Sequence, residues 1–460
     1  MLGRLPAGTG RPAYDRARIA AGVAHIGVGA FHRAHQATWF DEILSLGDPR
    51  WGVQGVSLRS PSAERALRPQ DGLYTLVERS ADGETARVRG AILGVITAAG
   101  REREAVAALA AAELVTLTIT EKGYAPETAE APTTAAGLLA RALDQRRVAG
   151  LAPFTVLACD NLDDNGARIR ALVLEAAARI GPALANWIEQ NGAFPSTMVD
   201  RITPAMTPEE KAVLEAQLGY RDDAIVTAEH FRQWVIEDRF AGPRPDFAAV
   251  GVQVVADVAA WQTAKLRLLN AAHSALAYLG ALAGFTYVHE AIGWPPLRAY
   301  VRRLWSETAS TLTPTPGLDL EAYQAALLKR FDNPHLHHRL AQIAMDGSQK
   351  LPPRLLATIQ DRLNAGQSID ALALAVAAWV RWQLGIDEAG APFTVEDPRA
   401  ASLARALKGA NTAAEMLAAV TADQAIFSAS LAANPVFTQS VTRSLERLLR
   451  KGARATIEAV

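Results

Sequence analysis

Short apolar runs alternate with amphipathic stretches over the first 250 residues of the chain. The runs are rich in β-branched residues and predict strands, whereas the stretches between them carry apolar residues at helical spacing. Strands that alternate with helices are typical of βαβ units around a mainly parallel sheet. The predicted strands cover residues 23–28, 52–58, 88–96, 114–120 and 154–158.

Strand signals nearly vanish after residue 256, where apolar residues recur at helical spacing and the stretches end at Gly or Pro. A chain of 460 residues also exceeds what one hydrophobic core usually supports. The pattern therefore predicts two domains, an α/β, Rossmann-like domain with a mainly parallel sheet over residues 1–255 and an all-α domain over residues 256–460.

Composition and charge narrow the range of partners. The 47 Lys and Arg nearly balance the 48 Asp and Glu, so we expect neither nucleic acid nor a membrane as partner, and a small-molecule ligand is favoured. The single cysteine, Cys159, excludes an intrachain disulfide framework. No stretch contains the ~20 apolar residues that a membrane span requires. We expect a cytoplasmic protein that is a monomer or a small homo-oligomer.

The segment VAHIGVGAFHRAHQ joins the first predicted strand to a helix through a Gly-x-Gly turn. Gly27 permits a tight backbone, and Gly29 lets a pyrophosphate approach. The start of the helix, from Ala30 and Phe31 onward, supplies N–H donors for the phosphates. The turn therefore predicts a dinucleotide cofactor, with a plain β-turn-α connection as the alternative.

Two features of this region depart from a standard dinucleotide fingerprint. His32 replaces the third glycine, which serves only close helix-to-strand packing. Because no third metal ligand is near His32 and His35, we expect surface or cofactor-facing imidazoles rather than a metal site. The second strand ends at Arg59 without the acid that accepts the ribose of NAD, and this arginine fits adenine stacking, a 2′-phosphate or simple solvation. These residues leave NAD and NADP open.

Polar residues also follow two other predicted strands. Asp160 and Asn161 follow one strand, and Glu121 and Lys122 follow another. Open α/β sheets bind ligands at the carboxyl ends of their strands, so we expect these residues beside the cofactor or the substrate. The alternatives are a helix-capping Asn161 and an exposed turn at residues 121–122.

The stretch KLRLLNAAHSALAYLG, residues 265–280, is predicted to form a helix that carries few polar residues. At 100° per residue, Lys265, Asn270 and His273 lie on one side of that helix and can converge on a ligand. Apolar surroundings disfavour the cation of a lysine, which suits a general base that takes a hydroxyl proton during hydride transfer. Two asparagine amides fit stabilisation of the developing alkoxide. The alternative is a tightly packed small-residue helix with Lys265 at its solvated end.

Seven motifs follow one another along the chain: GVGAFHRAHQ, TITEKGY, CDNLDDNG, MVDRITPA, WVIED, KLRLLNAAHS and NPHLHHRLAQIAMDGSQKLPPRLL. Together they resemble the mannitol dehydrogenase family of polyol-specific long-chain dehydrogenases, from about residue 20 to the C-terminus. In that family the turn reads G-x-G-x-F-H-R-A-H, so His32 is the family's own form of the fingerprint.

The resemblance implies an NAD-dependent oxidoreductase and assigns roles to single residues. The family's catalytic lysine falls on Lys265, its alkoxide-stabilising asparagines on Asn161 and Asn270, and its substrate-binding histidine on His273. Asp200 matches the family aspartate near the substrate. None of these roles requires a metal ion, because the lysine and the amides do the work of a Lewis acid.

Residues 342–356 point to one branch of the family. Mannitol dehydrogenases carry an arginine where this chain has Gln342, whereas QIAMDGSQKLPPRLL is similar to the fructuronate reductase (D-mannonate oxidoreductase) branch. That branch implies a hexuronate, whose carboxylate would pair with Lys350 or Arg354. The alternative for both cations is a solvated helix face.

Three other functions stay open. The first is a mannitol- or arabinitol-type polyol 2-dehydrogenase of the same family. The second is a metal-dependent hydrolase built on His335, His337, His338 and the acids of residues 160–164, although HLHH lies in a predicted helix, where residues i and i+2 do not face each other. The third is a non-catalytic NAD-binding sensor, for which the set of Lys265 and its polar partners would be superfluous.

Overall fold

The computed structural model describes residues 5–6, 8–120, 123–126 and 133–459. The chain divides into two compact units, Met1–Ala259 and Ala260–Val460. Among the described residues, every named strand lies in the first unit, and the second unit is helical. The predicted fold class, an α/β part followed by an all-α part, is confirmed.

The described part of the first unit contains eleven strands. They are β1 Val23–Ile26, β2 Val53–Ser57, β3 Tyr74–Ser80, β4 Gly83–Arg89, β5 Ile92–Thr97, β6 Leu114–Leu117, β7 Thr155–Ala158, β8 Thr197–Asp200, β9 Val226–Glu229, β10 Gln233–Glu237 and β11 Gln253–Val255.

Five of these strands form a parallel sheet in the order β5-β2-β1-β6-β7. Val23 of β1 pairs with Val53 of β2 on one side and with Leu114 of β6 on the other. The chain therefore leaves β1 toward one edge of the sheet and later returns to fill the other edge. The carboxyl ends of β1 and β6 form a topological switch point, which is where open α/β sheets bind their ligands.

Helices cover both faces of this sheet. The helices of the first unit are α1 Ala30–Ala34, α2 Gln36–Ser45, α3 Ser62–Leu67, α4 Glu102–Ala111, α5 Ala135–Val148, α6 Asn165–Ile180, α7 Pro182–Asn191 and α8 Pro208–Leu218, with 3-10 turns at Arg16–Arg18, Arg68–Gln70 and Ala248–Val250. Of these, α8 packs away from the parallel sheet, where its Leu214 joins Val77 of β3. Because side chains alternate along a strand, Ala24 and Ile26 of β1 join the core that holds Leu139 of α5, whereas Val23 joins the core that holds Phe40 of α2.

Two three-stranded sheets accompany the parallel sheet, in the orders β11-β10-β8 and β4-β3-β9. β3 and β4 form an antiparallel hairpin in which Ser80 pairs with Gly83. The single strand predicted over residues 88–96 is therefore wrong, because β4 and β5 belong to different sheets. Gly90 lies between them, and a Cβ atom at this position would come within 2.7 Å of Pro12.

The second unit consists of helices. They are α9 Ala259–Ala264, which begins at the last residue of the first unit, α10 Ala271–Leu282, α11 Val288–Gly293, α12 Pro295–Ala309, α13 Leu320–Phe331, α14 Leu340–Ala344, α15 Gly347–Leu351, α16 Ala357–Asn364, α17 Asp370–Trp382, α18 Ala400–Leu407, α19 Ala413–Thr421, α20 Ala429–Ala432 and α21 Pro435–Glu458. Two π-helices interrupt this series, the first over Lys265–Asn270 and the second over Pro352–Leu356.

The core of the second unit is built around α10 and α17. Both helices are apolar on nearly every side, as expected of helices that are surrounded by others. Gly280 allows close approach within α10, because a Cβ atom there would lie 3.0 Å from Leu340 and 3.1 Å from Ala291. None of the helices in the described ranges combines the length and the apolar character needed to cross a membrane.

Candidate active site

The turn after β1 is shaped by Gly27. Its φ of 98° lies in the left-handed region, and its N–H donates to Val56 O at 2.9 Å. A Cβ atom on Gly27 would lie 2.1 Å from Thr118 O at the end of β6. Only glycine therefore lets the turn pass this close to the neighbouring strand.

Gly29 leaves open space where the helix begins. It caps α1 in an extended conformation, and the nearest atom to a Cβ built on it is Gly27 O at 3.8 Å. The first turn of a helix carries N–H groups without intrahelical acceptors, here from Ala30 and Phe31 onward. Gly29 has no side chain, and the free N–H groups of α1 begin beside it at the switch point. The turn therefore fits the pyrophosphate of a dinucleotide.

His32 packs beneath this turn. Its ring stacks on the ring of His25 with centroids 3.4 Å apart and planes 13° apart, and both side chains are fully buried. His25 in turn contacts Thr116 Oγ1 at 2.7 Å and Thr118 Oγ1 at 2.9 Å. Burial lowers the pKa of His25 to about 3, and burial chiefly lowers the pKa of His32 well below its usual value. A flat ring on a flat ring thus supplies the close packing that a third glycine would give.

The surface position considered for the two histidines of this motif is wrong. His35 is also fully buried, and its Nε2 atom lies 2.8 Å from Gln233 O of β10. Its ring packs in parallel on Phe31 with centroids 5.1 Å apart. Burial is the main reason that the pKa of His35 falls to about 3. Both imidazoles are therefore neutral at ordinary pH, and a position of His32 beside the cofactor stays a prediction.

Three other residues are predicted at the cofactor, namely Arg59, Glu121 and Lys122, and the structure describes one of them. Arg59 lies two residues after β2 and is exposed. Glu121 and Lys122 lie outside the described residues. Of the three residues, only Arg59 is located, at the carboxyl end of the strand next to β1.

The segment after β7 brings Asp160 to the end of β6. Asp160 accepts hydrogen bonds from Thr120 N at 2.8 Å and from the Tyr124 hydroxyl at 3.0 Å, so it ties two loops together. Asn161 is exposed beside it. Asn161 does not cap α6, because Asp164 is the residue that precedes this helix, and that alternative is ruled out.

Asp200 ends β8 and is 3% exposed. Its backbone pairs with Gln233 of β10, and its carboxylate raises the pKa of His35 slightly against the effect of burial. The next residue, Arg201, is also buried and donates to Glu229 O at 2.9 Å. The strand end is thus held by charged and main-chain contacts inside the first unit.

Lys265 is the first residue of the first π-helix and is 9% exposed. The solvated position weighed for this lysine is therefore wrong. The 100° spacing used in the prediction does not apply between Lys265 and Asn270, because a π-helix has a wider turn than an α-helix. Short π-helical turns inside α-helices occur frequently at functional sites.

Asn270, His273 and Arg354 meet where the two π-helices approach each other. The Arg354 guanidinium donates to Ser274 Oγ at 3.2 Å and approaches Asn270 O at 3.5 Å. Asn270 Nδ2 and His273 Nε2 are buried without a hydrogen-bond partner in the second unit or elsewhere in the described residues. The structure thus brings together two predicted catalytic residues and one predicted substrate-binding residue, with unsatisfied donors and acceptors for a ligand.

The electrostatic surroundings of His273 keep its imidazole neutral. Burial is the largest cause of a pKa well below the usual value. His338 and three cations, Arg330, Arg354 and Lys265, lower it further. These cations also make the surroundings attractive to an anionic group.

His338 belongs to this cluster, although the sequence pattern did not predict it as a substrate-binding residue. Its ring lies edge-on to the ring of His273, with centroids 5.2 Å apart. The helix predicted for HLHH is wrong: the segment is a turn, in which His337 has a φ of 46°, and His335 and His337 are exposed. Within the described ranges, no group of three or more His, Cys, Asp or Glu side chains could hold a metal ion.

Lys350 lies near the same cluster and has main-chain acceptors. Its ammonium group donates to Met345 O at 2.5 Å and to Ile343 O at 3.3 Å. It thus ties α15 to the segment that leaves α14. Pairing with a substrate carboxylate stays a prediction for Lys350, as it does for Arg354.

Both halves of the chain match known families. The Mannitol dehydrogenase Rossmann domain matches residues 21–249, and the Mannitol dehydrogenase C-terminal domain matches residues 257–449. A D-mannonate oxidoreductase of Escherichia coli is 39% identical over 484 residues, which cover 98% of this chain and 98% of the relative. A mannitol 2-dehydrogenase of Phaeosphaeria nodorum is 39% identical over 474 residues, which cover 97% of this chain and 82% of the relative.

A solved structure agrees over the whole length. The mannitol 2-dehydrogenase of Pseudomonas fluorescens, in a ternary complex with NAD and D-mannitol, has a TM-score of 0.88 at 36% identity and covers 100% of this chain and 98% of that chain. With two matching family domains and relatives of this similarity, the chain belongs to the mannitol dehydrogenase family and is an oxidoreductase that acts on CH–OH groups.

Proposed function

We propose that this oxidoreductase uses NAD to interconvert D-mannonate and D-fructuronate. The observation that carries the proposal is the pair of guanidinium groups near a neutral histidine: Arg330 and Arg354 both lower the pKa of His273, and Arg354 donates to Ser274 Oγ, on the residue next to His273, at 3.2 Å. A hexuronate brings a carboxylate to such surroundings, and a neutral polyol does not. The similarity to a D-mannonate oxidoreductase agrees with this choice.

NAD is proposed as the cofactor on two grounds. The related Pseudomonas fluorescens enzyme was solved with NAD. In this chain, Gly27 and Gly29 form a turn that is open to a pyrophosphate, with the first N–H groups of α1 facing it. When bound, NAD supplies the nicotinamide ring that accepts a hydride.

The chemistry assigned to the protein is proton transfer and stabilisation of charge. During oxidation, the Lys265 amine takes the proton of the substrate hydroxyl while the hydride leaves the same carbon. The amides of Asn161 and Asn270 donate to the oxygen as negative charge develops on it. In the reverse direction the Lys265 ammonium group returns the proton to the carbonyl oxygen. His273 holds a further hydroxyl group, and no step needs a metal ion.

A second candidate is a mannitol- or arabinitol-type polyol 2-dehydrogenase. The related solved enzyme holds D-mannitol, and a mannitol 2-dehydrogenase is as similar in sequence as the mannonate enzyme. The two candidates differ in whether turnover depends on a carboxylate on the substrate.

A panel of ketoses and keto-uronates, assayed with NADH and with NADPH, distinguishes the candidates. We expect the largest kcat/KM for D-fructuronate, and a modest preference for NADH because no acid follows β2 next to Arg59. A larger kcat/KM for D-fructose would select the polyol dehydrogenase. Equal or better kcat/KM with NADPH would instead give Arg59 a role at the 2′-phosphate.

A further inference from the structure

The backbone at His338 and at Leu340 is held in place by main-chain hydrogen bonds. The His338 carbonyl accepts from Val288 N at 3.0 Å, and Leu340 N donates to Thr286 O at 3.0 Å. These contacts pin the segment before α14 to the segment before α11. The imidazole of His338 therefore projects from a fixed backbone rather than from a free loop.

The ring of His338 ends beside the ring of His273, perpendicular to it at 5.2 Å. Phe331 lies against His273 as well, with ring centroids 4.9 Å apart. His338 Nδ1 is buried without a hydrogen-bond partner, as are His273 Nε2 and Asn270 Nδ2. An unsatisfied buried polar atom is destabilising, so three of them in this cluster point to a ligand that satisfies them.

Burial, reinforced by the cations Arg330 and Lys350, lowers the pKa of His338 to about 4. Above that pH the ring is neutral, so one of its nitrogens donates and the other accepts. A hydroxyl group can do either, which makes it the matching partner for whichever state Nδ1 adopts. A carboxylate, which only accepts, is better served by the neighbouring arginines.

We propose that His338 binds a hydroxyl group of the substrate through its Nδ1 atom, beside the group held by His273, and so selects polyhydroxylated substrates. The inference rests on the proposed function in one respect, namely that Asn270 and His273 border the substrate. It does not depend on the choice between a hexuronate and a neutral ketose, because both carry hydroxyl groups next to the reacting carbon.

The test compares His338→Leu, His338→Asn and the control His335→Leu in the full-length enzyme. Leucine fills similar space without a polar atom, asparagine offers an amide near the position of Nδ1, and His335 is exposed in the same segment. For the best substrate of the panel, His338→Leu should raise KM by about 10- to 100-fold with kcat within about threefold of wild type. In His338→Asn the KM should return most of the way to the wild-type value, and the KM of His335→Leu should equal that of wild type.

Two further measurements separate substrate binding from a structural role. The thermal midpoint of ligand-free His338→Leu should equal or exceed that of wild type, because the variant removes an unsatisfied buried atom. In a series of deoxy analogues, the one that lacks the bound hydroxyl group should be turned over equally by wild type and His338→Leu. An unchanged KM in His338→Leu, or a lower thermal midpoint without rescue by asparagine, would overturn the inference. Wild-type preference for D-fructose would overturn the proposed substrate only, since the ratios for His338 are then measured on D-fructose.

Discussion

Lys265 combines a titratable amine with a buried position at the start of a π-helix. If it is the general base, Lys265→Ala should lower kcat by about 100-fold or more, because the hydroxyl proton loses its acceptor. Arg267→Met is the matched control in the same π-helix, since Arg267 is engaged elsewhere by Thr311 and Asp361. The measurement is the kcat of wild type and of both variants, and equal thermal midpoints show that the variants are folded. Near wild-type turnover in Lys265→Ala would end the assignment.

The proposed function has the amides of Asn161 and Asn270 stabilise the developing alkoxide. Asn161→Ala and Asn270→Ala should each lower kcat more than they raise KM, because a donor that acts on transition-state charge contributes little to ground-state binding. Initial rates over a range of substrate concentration separate the two parameters. Changes confined to KM in both variants would place these amides in ground-state binding.

Individual site residues differ in how far the sequence predicts them. The Gly-x-Gly spacing predicts Gly27 and Gly29, because a tight turn between strand and helix is a local property. His338 is different: the apolar spacing around HLHH resembles a helix, whereas Pro334 begins a turn and His337 takes a left-handed conformation. The place of His338 beside His273 depends on helices far apart in the chain, and no local pattern encodes such a contact.

The turn between β1 and α1 depends on the absence of a side chain at Gly27. In Gly27→Ala the new Cβ atom would lie 2.1 Å from Thr118 O, so the turn must move. The proposed pyrophosphate site at Gly27 and Gly29 would move with it. Gly47→Ala is the matched control, because Gly47 has a φ of 104° but nothing within 4 Å of a Cβ atom. We expect the Kd for NADH, measured by fluorescence titration, to rise about tenfold or more in Gly27→Ala only. An equal rise of the Kd in both variants would show that any substitution at a glycine with positive φ weakens NADH binding, and not the contact with Thr118 O in particular.

Strands and helices with a regular apolar period are the elements that the sequence predicts well. Four of the five predicted strands are β1, β2, β6 and β7, with ends shifted by a few residues. The fifth prediction merges β4 and β5, because the residues on both sides of Gly90 are equally strand-like although they enter different sheets. The π-helix at Lys265–Asn270 also escapes prediction, since the same apolar residues satisfy a π-helix and an α-helix.

Four of the nine histidines are buried, and a fifth, His338, is half-buried. All five have a lowered pKa, which ties the stability of the whole fold to pH. The pKa values of His25 and His35 are about 3 and that of His338 is about 4, while those of His32 and His273 lie well below the usual value. In the unfolded chain each histidine titrates near ~6.5. Below that pH the unfolded chain binds protons that the folded chain excludes, so stability is complete above about pH 6.5 and is lost as the pH falls toward 4.

The thermal midpoint should therefore be nearly constant from about pH 7 to 8 and fall steeply below about pH 6. Each proton that only the unfolded chain binds lowers the free energy of unfolding by about 1.4 kcal/mol per pH unit of acidification. The five histidines together therefore lower it by at most about 7 kcal/mol per pH unit. Calorimetry at pH 5.5 in buffers of different ionisation enthalpy measures the protons taken up on unfolding. A midpoint that stays constant down to pH 5, or no proton uptake, would show that these histidines are protonated in the folded state.

The most direct test of the proposed activity is the oxidation of NADH by the wild-type enzyme after dialysis against a chelator, with D-fructuronate and D-fructose side by side. The proposal predicts turnover that is unaffected by the chelator, because Lys265 and the two asparagines supply the acid–base and electrostatic work. It also predicts a kcat/KM for D-fructuronate at least about tenfold above that for D-fructose, as one charge-assisted pair to the carboxylate provides. Loss of turnover in the chelator, or a higher kcat/KM for D-fructose, would contradict it.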